Sequence, residues 1–270
     1  MIFDYGTGTT EVRNPQWGYE SSIKLSLIHS EVLPRGYRIW DNGVGNDYRV
    51  CKFTALLNET QTANLIDIYT DNARGSNVTL TLGSNSGFYP FGPDLGDSGN
   101  FSVRFLNIKA NPVLEEPWQY FNTEIEMVMV SNPSYSLPTE VDEGDLQIGS
   151  ITGLRYPPSF PRSSSGHFIS NILTYDGSPF SIDKTNQGDT LTTTLGMLCN
   201  QSKSAALIDH MVNTVRDSNV SIVAGTRNWI FGNEGATSGT YTCQFMNKTI
   251  TISHEYYNGF AFDLSFYRVS

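Results

Sequence analysis

Four histidines, three cysteines and 27 carboxylates are the groups in this 270-residue chain whose chemistry could support a reaction. Metal-assisted and nucleophilic catalysis need several of them at defined intervals, and those intervals do not occur. His29, His167, His210 and His254 are scattered, without the His-x-x-x-His or Cys-x-x-Cys spacing that turns two side chains toward one ion. Cys51, Cys199 and Cys243 sit in strand-like or pre-helical runs and read as small buried hydrophobes in a reducing compartment. Ser163-Ser164-Ser165-Gly166-His167 sets hydroxyls beside an imidazole. A triad is an arrangement in space, however, so the run reads as a serine-rich loop. Asp41 to Asp47 carries oxygen ligands at calcium-loop intervals but lacks the closing bidentate glutamate, and a turn is the better reading. Neither GxxxxGK[ST] nor GxGxxG is present. The expectation is a chain with no catalytic residues, no metal and no cofactor.

Two further sets of residues are suited to contact. Phe91-Gly92-Pro93-Asp94 and Phe231-Gly232-Asn233-Glu234 repeat a Phe-Gly-x-acid loop. Its acids Asp94, Asp97 and Glu234 are candidates for contact between subunits or for lining a lumen, together with Glu140, Asp142, Glu143 and Asp145 further along. The aromatics Trp118, Tyr120, Tyr256 and Tyr257 offer flat faces on which a sugar ring could stack. Trp118 and Tyr257 precede a strand in corresponding places, which makes core or domain-edge packing the plainer reading.

The elements that must position these residues come in two similar series. Asn58 aligns with Asn200, Leu65-Ile66-Asp67 with Leu207-Ile208-Asp209, Arg74 with Arg216, and Ser76-Asn77-Val78 with Ser218-Asn219-Val220, all at an offset of 142. After small slips in turn-rich stretches, Phe101, Val103, Phe105 and Asn107 meet Tyr241, Cys243, Phe245 and Asn247, and Val130-Ser131 meets Val269-Ser270. Within each series an alternating strand (Tyr48 to Phe53; Leu191 to Leu195) leads into a helix. Ile208, Met211, Val212 and Val215 form the apolar stripe of the second helix, with Ser202 or Ser204 as its cap; Ile66, Tyr69 and Ala73 form that of the first, with Thr60 or Thr62 before it. Further strands follow in the same order. The expectation is an internal duplication: mainly β, two tandem β-sandwich or partly closed barrel domains over 1–135 and 136–270, each with one flanking α-helix. Residues 132–145 form a solvated linker.

Composition limits the function. Charged residues are 16% and aromatics 12%, with 24 Gly and 12 Pro, which suits strands and turns better than a helical bundle. No apolar run approaches the roughly 20 residues of a membrane-spanning helix, and the N-terminus reads as neither signal peptide nor anchor. The net charge of −10 is shared by the halves, 15 acids against 9 bases and 12 against 8. Gripping nucleic acid needs a basic footprint, so DNA or RNA binding is disfavoured.

The order strand, helix, strand, long acidic loop, alternating strand and final strand, seen twice, resembles the tail-tube fold of tailed bacteriophages, which tail tubes, distal tail proteins and baseplate hub proteins share. The resemblance rests on element order over most of both halves. It implies a structural, non-enzymatic role in a virion tail assembled in the host cytoplasm, with viral DNA passing through a ring without specific binding. The implied partners are neighbouring tail proteins and copies of the chain itself, as a trimer with pseudo-sixfold symmetry or as a hexamer. The alternative is a tandem carbohydrate-binding module at the tail tip that uses the four aromatics above.

Overall fold

The computed structural model describes residues 1–5, 8–15, 18–32, 36–41, 47–72, 76–113, 120–132, 134–142, 144–155, 165–166, 169–173, 179–183, 190–224, 239–256 and 259–269, with positions 43, 45 and 230. The first half contributes β1 (Ile2–Asp4), β2 (Thr9–Glu11), β3 (Glu20–Lys24), β4 (Leu27–Val32), β5 (Gly36–Asp41) and β6 (Tyr48–Asn58). Helix α1 (Glu59–Asp67) follows, continued by a π-helical turn Ile68–Asn72. Then come β7 (Val78–Leu82), a 3-10 turn Pro93–Leu95, β8 (Gly99–Pro112) and β9 (Tyr120–Ser131). The second half contributes β10 (Leu146–Ile148), β11 (Ile151–Leu154), β12 (Ser165–Gly166), β13 (Ile169–Leu173), β14 (Pro179–Asp183) and β15 (Thr190–Asn200). Helix α2 (Gln201–Asp209), also continued by a π-helical turn (His210–Val215), precedes β16 (Asn219–Ala224), β17 (Gly239–Phe245), β18 (Thr249–Tyr256) and β19 (Gly259–Arg268). The protein is mainly β, as its composition requires.

Strand residues alternate between core and surface. Along β6 every second side chain from Arg49 to Leu57 is buried, the period-two pattern of a half-buried strand. Both helices start where such a strand ends, so the last strand residue becomes the cap. The Asn58 side chain accepts a hydrogen bond from Gln61 N at 2.8 Å while Gln61 Oε1 accepts from Asn58 N at 3.1 Å, a reciprocal capping box. Asn200 Oδ1 accepts from Lys203 N at 2.9 Å. The expected threonine and serine caps are therefore replaced by asparagines that lie just before them, whose short side chains reach back over the first turn. The apolar stripe of the second helix is as expected: Ile208, Met211, Val212 and Val215 are all buried.

Strands of both halves belong to one antiparallel sheet. Its order is β11-β10-β16-β17-β19-β18-β3-β6-β9-β8-β7-β1-β2, with β15 paired to β19 and β12 to β15. The hairpins β4–β5 and β13–β14 stand outside it. Two hydrophobic clusters lie on this sheet. One, around Phe3, Phe53, Phe91, Phe101 and Ile125, is built from the first half alone. The other, around Leu207, Ile222, Phe245 and Phe266, is built from the second half but includes Ile23, Leu25, Leu27, Ile39 and Tyr89 from the first. Those five residues mark where the halves are joined.

Candidate functional site

The most constrained polar chemistry in the described residues lies at this joint, and it begins with a strand. β3 pairs on one edge with β6 of its own half, Glu20 opposite Lys52 and Lys24 opposite Tyr48. On its other edge it pairs with β18 of the second half, Ile23 opposite Ile250 and Ser21 opposite Ile252. Leu25 N extends the ladder by donating to Lys248 O at 2.9 Å. A five-residue strand with both edges satisfied is a rigid splice, since displacing it would expose two rows of backbone donors and acceptors.

Beyond β3 the chain turns into the β4–β5 hairpin, whose Leu27 and Ile39 are buried in the second cluster. The hairpin ends at Asp41, and Asp47 follows before β6. Both carboxylates close on Arg216 at the far end of the second helical segment. Arg216 Nε bonds Asp41 Oδ2, NH2 donates to Asp41 Oδ1 at 2.5 Å, NH1 donates to Asp47 Oδ2 at 2.6 Å and to Val212 O at 2.9 Å. Asp47 Oδ1 also accepts from Ser26 N at 2.7 Å, which ties the base of the hairpin to the same cluster. Arg216 is 5% exposed and has φ +38°, a left-handed conformation uncommon for a non-glycine residue. Hydrogen bonds from Arg216 hold the Asp41 carboxyl below the ordinary carboxylate range, and the two aspartates raise the guanidinium further above its already high value. The Asp41 to Asp47 stretch, read from sequence as a turn, is thus a clamp on an arginine 169 residues beyond Asp47.

The Phe-Gly-x-acid loop is part of the same joint. Asp94, expected at a surface for lumen or subunit contact, is buried and forms a bidentate pair with Arg49, NH1 to Oδ1 at 2.7 Å and NH2 to Oδ2 at 2.6 Å. Arg49 NH1 also donates to Phe91 O at 2.7 Å. Burying a carboxylate requires this kind of compensation, and Arg49 supplies it. Gly92 makes the latch possible: its φ is +114°, and a Cβ there would fall 2.7 Å from Asp94 Oδ1. The 3-10 turn after Gly92 lies against α2 of the other half. Beside it Tyr19, Tyr89, His254 and Phe260 form an aromatic layer, with His254 stacked on Phe260 at 4.8 Å and Tyr89 edge-on to Phe260 at 5.1 Å. Tyr89 N donates to Tyr19 Oη at 3.1 Å, and burial raises the Tyr19 phenol above its ordinary pKa.

The linker is held as well. Lys203, fully buried in the first turn of α2, donates to Glu140 Oε2 at 2.8 Å, Asp142 Oδ1 at 3.0 Å and Thr152 O at 2.5 Å. Burial pushes its ammonium toward neutrality, and the bonds to the two carboxylates more than reverse this, leaving the pKa raised. Glu140 and Asp142 are exposed, and both are anchored by Lys203. Asp145 is exposed. Asp97 is half-buried and accepts from Gly87 N at 2.8 Å. Glu143, Glu234, Trp118 and Tyr257 lie outside the described residues, as does the Phe231 to Glu234 loop. Tyr120 is 52% exposed at the start of β9, and Tyr256 is the last residue of β18.

Among the described residues no three His, Cys, Asp or Glu side chains are placed to share a metal ion. The three cysteines are free and buried, and burial raises the Cys51 and Cys243 thiols, the latter to about 12, so neither is a thiolate nucleophile. A shallow depression of about 360 Å³ over β18 and β19 is lined by Asn247, Thr249, Thr251, Ser253 and Asp263, with Ala261 and the buried Phe262 at its floor. It includes none of the four aromatics expected as sugar platforms. No protein-family model and no curated protein matches this chain.

Sequence reasoning missed Arg49, Lys203 and the clamp on Arg216. One signal was available for the last: Arg216 aligns with Arg74 and Asp47 with Asp189, so these charges recur at a constant interval in an acidic, charge-poor chain.

Proposed function

We propose that the chain is a structural, ring-forming component of a phage tail, at the tube or its distal end, built from two copies of one β unit. The observation that carries the reading is the correspondence of the two strand networks. β3, β6, β9, β8, β7, β1 and β2 run in the same pairing order as β12, β15, β19, β17 with β18, β16, β10 and β11. Lys24 faces Tyr48 and Gly166 faces Thr190; Leu27 faces Asp41 and Ile169 faces Asp183. Each second pair is the first moved by 142 residues. Among the described residues, one difference between the two strand networks is that the single-residue bulge at Leu106 in β8 corresponds to the longer break Met246–Lys248 between β17 and β18.

A protein made of two such units, spliced edge to edge and lacking a reactive cluster among its described residues, is suited to building. Three chains would supply six units, giving true threefold and pseudo-sixfold symmetry, which fits a position where a sixfold tail meets a threefold tip. The net charge of −10 per chain keeps a phosphate backbone from sticking to the wall of such a ring. Light scattering on a sizing column, with images of the same peak, tests the reading. The expected species has a mass of about 90 kDa, three times 30.0 kDa, or about 180 kDa, and images as an annulus with a central hole. A species that stays at 30.0 kDa at every concentration, or oligomers without a hole, would overturn it.

A further inference from the structure

We infer that a second copy of this chain docks head to tail, its β12 strand pairing with the outer edge of β8 at Asn107 and Ile108 in the register by which β3 pairs with β18 inside the chain. The inference rests on the two-unit reading above and names the surface by which the units continue. In the second half, the strand segment after the break is β18, and its outer edge is filled by β3 of the first half. The corresponding segment of β8 pairs with β9 from Asn107 to Pro112, while β7 reaches only Gly99 to Val103. Among the described residues no strand occupies the other edge of Asn107–Pro112. β12, the counterpart of β3, pairs with β15 and with no other strand among the described residues. Among the described residues, one chain therefore presents both an acceptor edge, on β8, and a donor strand, β12, that no second strand pairs.

Burial points to the same missing neighbour. Ile250 and Ile252, which face the joint from β18, are 0% and 2% exposed. Their counterparts by strand register, Ile108 and Ala110 in β8, are only half-buried. Ile208 of α2 is fully buried, whereas Ile66, its counterpart on α1, is 38% exposed. What covers the second-half residues is the first half of the same chain, through β3, the β4–β5 hairpin and the 3-10 turn. What would cover the first-half residues is the second half of another copy, led by the β13–β14 hairpin, which has the register of β4–β5.

The ionic clamp recurs in the sequence as well. Arg74 stands 142 residues before Arg216, and Asp183 and Asp189 stand 142 residues after Asp41 and Asp47. Arg74 and Asp189 lie outside the described residues, and their types alone enter here. Inside the chain the second-half arginine is held by first-half aspartates. Between chains the first-half arginine would be held by second-half aspartates, which makes the contact heterologous and lets it propagate or close.

Transposing the β3–β18 register sets Ile108 opposite Ser165 and Asn107 opposite Gly166. The test is a double variant, Ile108→Cys with Ser165→Cys, oxidised mildly and run on a non-reducing gel. Six strands separate β8 from β12 within one chain, so a disulfide between these positions must join two chains. The expected result is a ladder of covalent multimers ending at the mass seen by light scattering. Neither single variant should give that ladder, nor should a control pairing Ile2→Cys with Ser165→Cys. Oligomers that form without the cross-link overturn this joint and leave the ring reading standing. Cross-linked chains that image as open fibres keep the joint and overturn the ring. A monomer that gives no cross-link overturns both. As a second measurement, Arg74→Glu should dissociate the oligomer, and adding Asp183→Lys with Asp189→Lys in the same chain should restore it. Oligomers indifferent to all three substitutions would reject the recurring clamp.

Discussion

Helices α1 and α2 have the same length, the same asparagine cap and the same π-helical continuation, yet nearly every residue of α2 is buried while α1 is largely exposed. Ala205 and Ile208 are completely covered; Ala63 is exposed and Ile66 is 38% exposed. The difference does not lie in the helices' own setting, since each follows a long antiparallel strand and is capped by that strand's last asparagine. It comes from the surroundings: the 3-10 turn of the first half lies against α2 and the linker carboxylates hold Lys203 in its first turn, and no described part of the chain does this for α1. Burial of an element is set by what packs over it, and in this chain α2 has such a cover while α1 does not among the described residues.

The comparison breaks most severely at the clamp. Arg216→Ala would leave Asp41 and Asp47 facing each other in a largely buried site, and removing one partner of such a cluster costs about 3–5 kcal/mol. The expected outcome is a large fall in the urea midpoint, and a midpoint within error of the parent would show that the clamp does not hold the halves together. Next come the paired isoleucines. Ile208→Ala empties a fully buried position and should cost about 2–5 kcal/mol. Ile66→Ala should change the stability of the single chain by no more than about 0.5 kcal/mol, because its site is already open to water. Equal losses in the monomer would mean that the two helices are covered alike. A selective loss of oligomer by Ile66→Ala would sharpen the comparison into an interface.

The caps give a smaller contrast of the same kind. Asn200 Oδ1 accepts from both Lys203 N and Ser202 Oγ, and Ser202 and Lys203 are buried, so water cannot replace the lost acceptor. Asn200→Ala is expected near the upper end of the capping range, about 2 kcal/mol. Asn58 caps an exposed helix end where water can take over, and Asn58→Ala should cost about 0.5–1 kcal/mol despite its reciprocal bond with Gln61. Thermal unfolding of the two variants side by side decides the order, and the reverse order would remove burial as the explanation.

How much of this was legible in the sequence follows from the range of the interactions. Strand alternation and the apolar stripe of α2 are local patterns, and Phe101, Val103 and Phe105 or Ile208, Met211 and Val212 could be read directly as core. A helix was expected after each strand, but its cap was assigned to Thr60 or Thr62 and to Ser202 or Ser204, because Asn58 and Asn200 belong to strands that run further than their apolar alternation. Each ends its strand and caps its helix at once. Asp94 was read as a surface acid because its loop is rich in Gly and Pro; its burial depends on Arg49, 45 residues away, and no local pattern reveals that pairing. Lys203 was unremarkable for the same reason, since its partners Glu140 and Asp142 lie in the linker. The constant offset of 142 carried the most information, and its physical content is a register: pairing is fixed by position along the strand, so a conserved interval preserves which residues face each other.

The smallest expected effects are in pH dependence, and they separate the two anchors of the joint. Asp41 has its folded pKa lowered by Arg216, so it contributes stability above its unfolded value near 3.8 that is lost as pH falls through the folded value. Lys203 has its folded pKa raised by Glu140 and Asp142, so its contribution is complete below about 10.5 and is lost as pH rises through the folded value. Stability should therefore have an acid limb that Asp41→Asn flattens and an alkaline limb that Lys203→Met flattens, each substitution leaving the opposite limb in place. Urea midpoints measured from pH 3 to pH 11 read both. If Asp41→Asn altered the alkaline limb, the clamp and the linker anchor would be one coupled network; independent limbs mean that the clamp on Arg216 and the anchor on Lys203 are separate contacts.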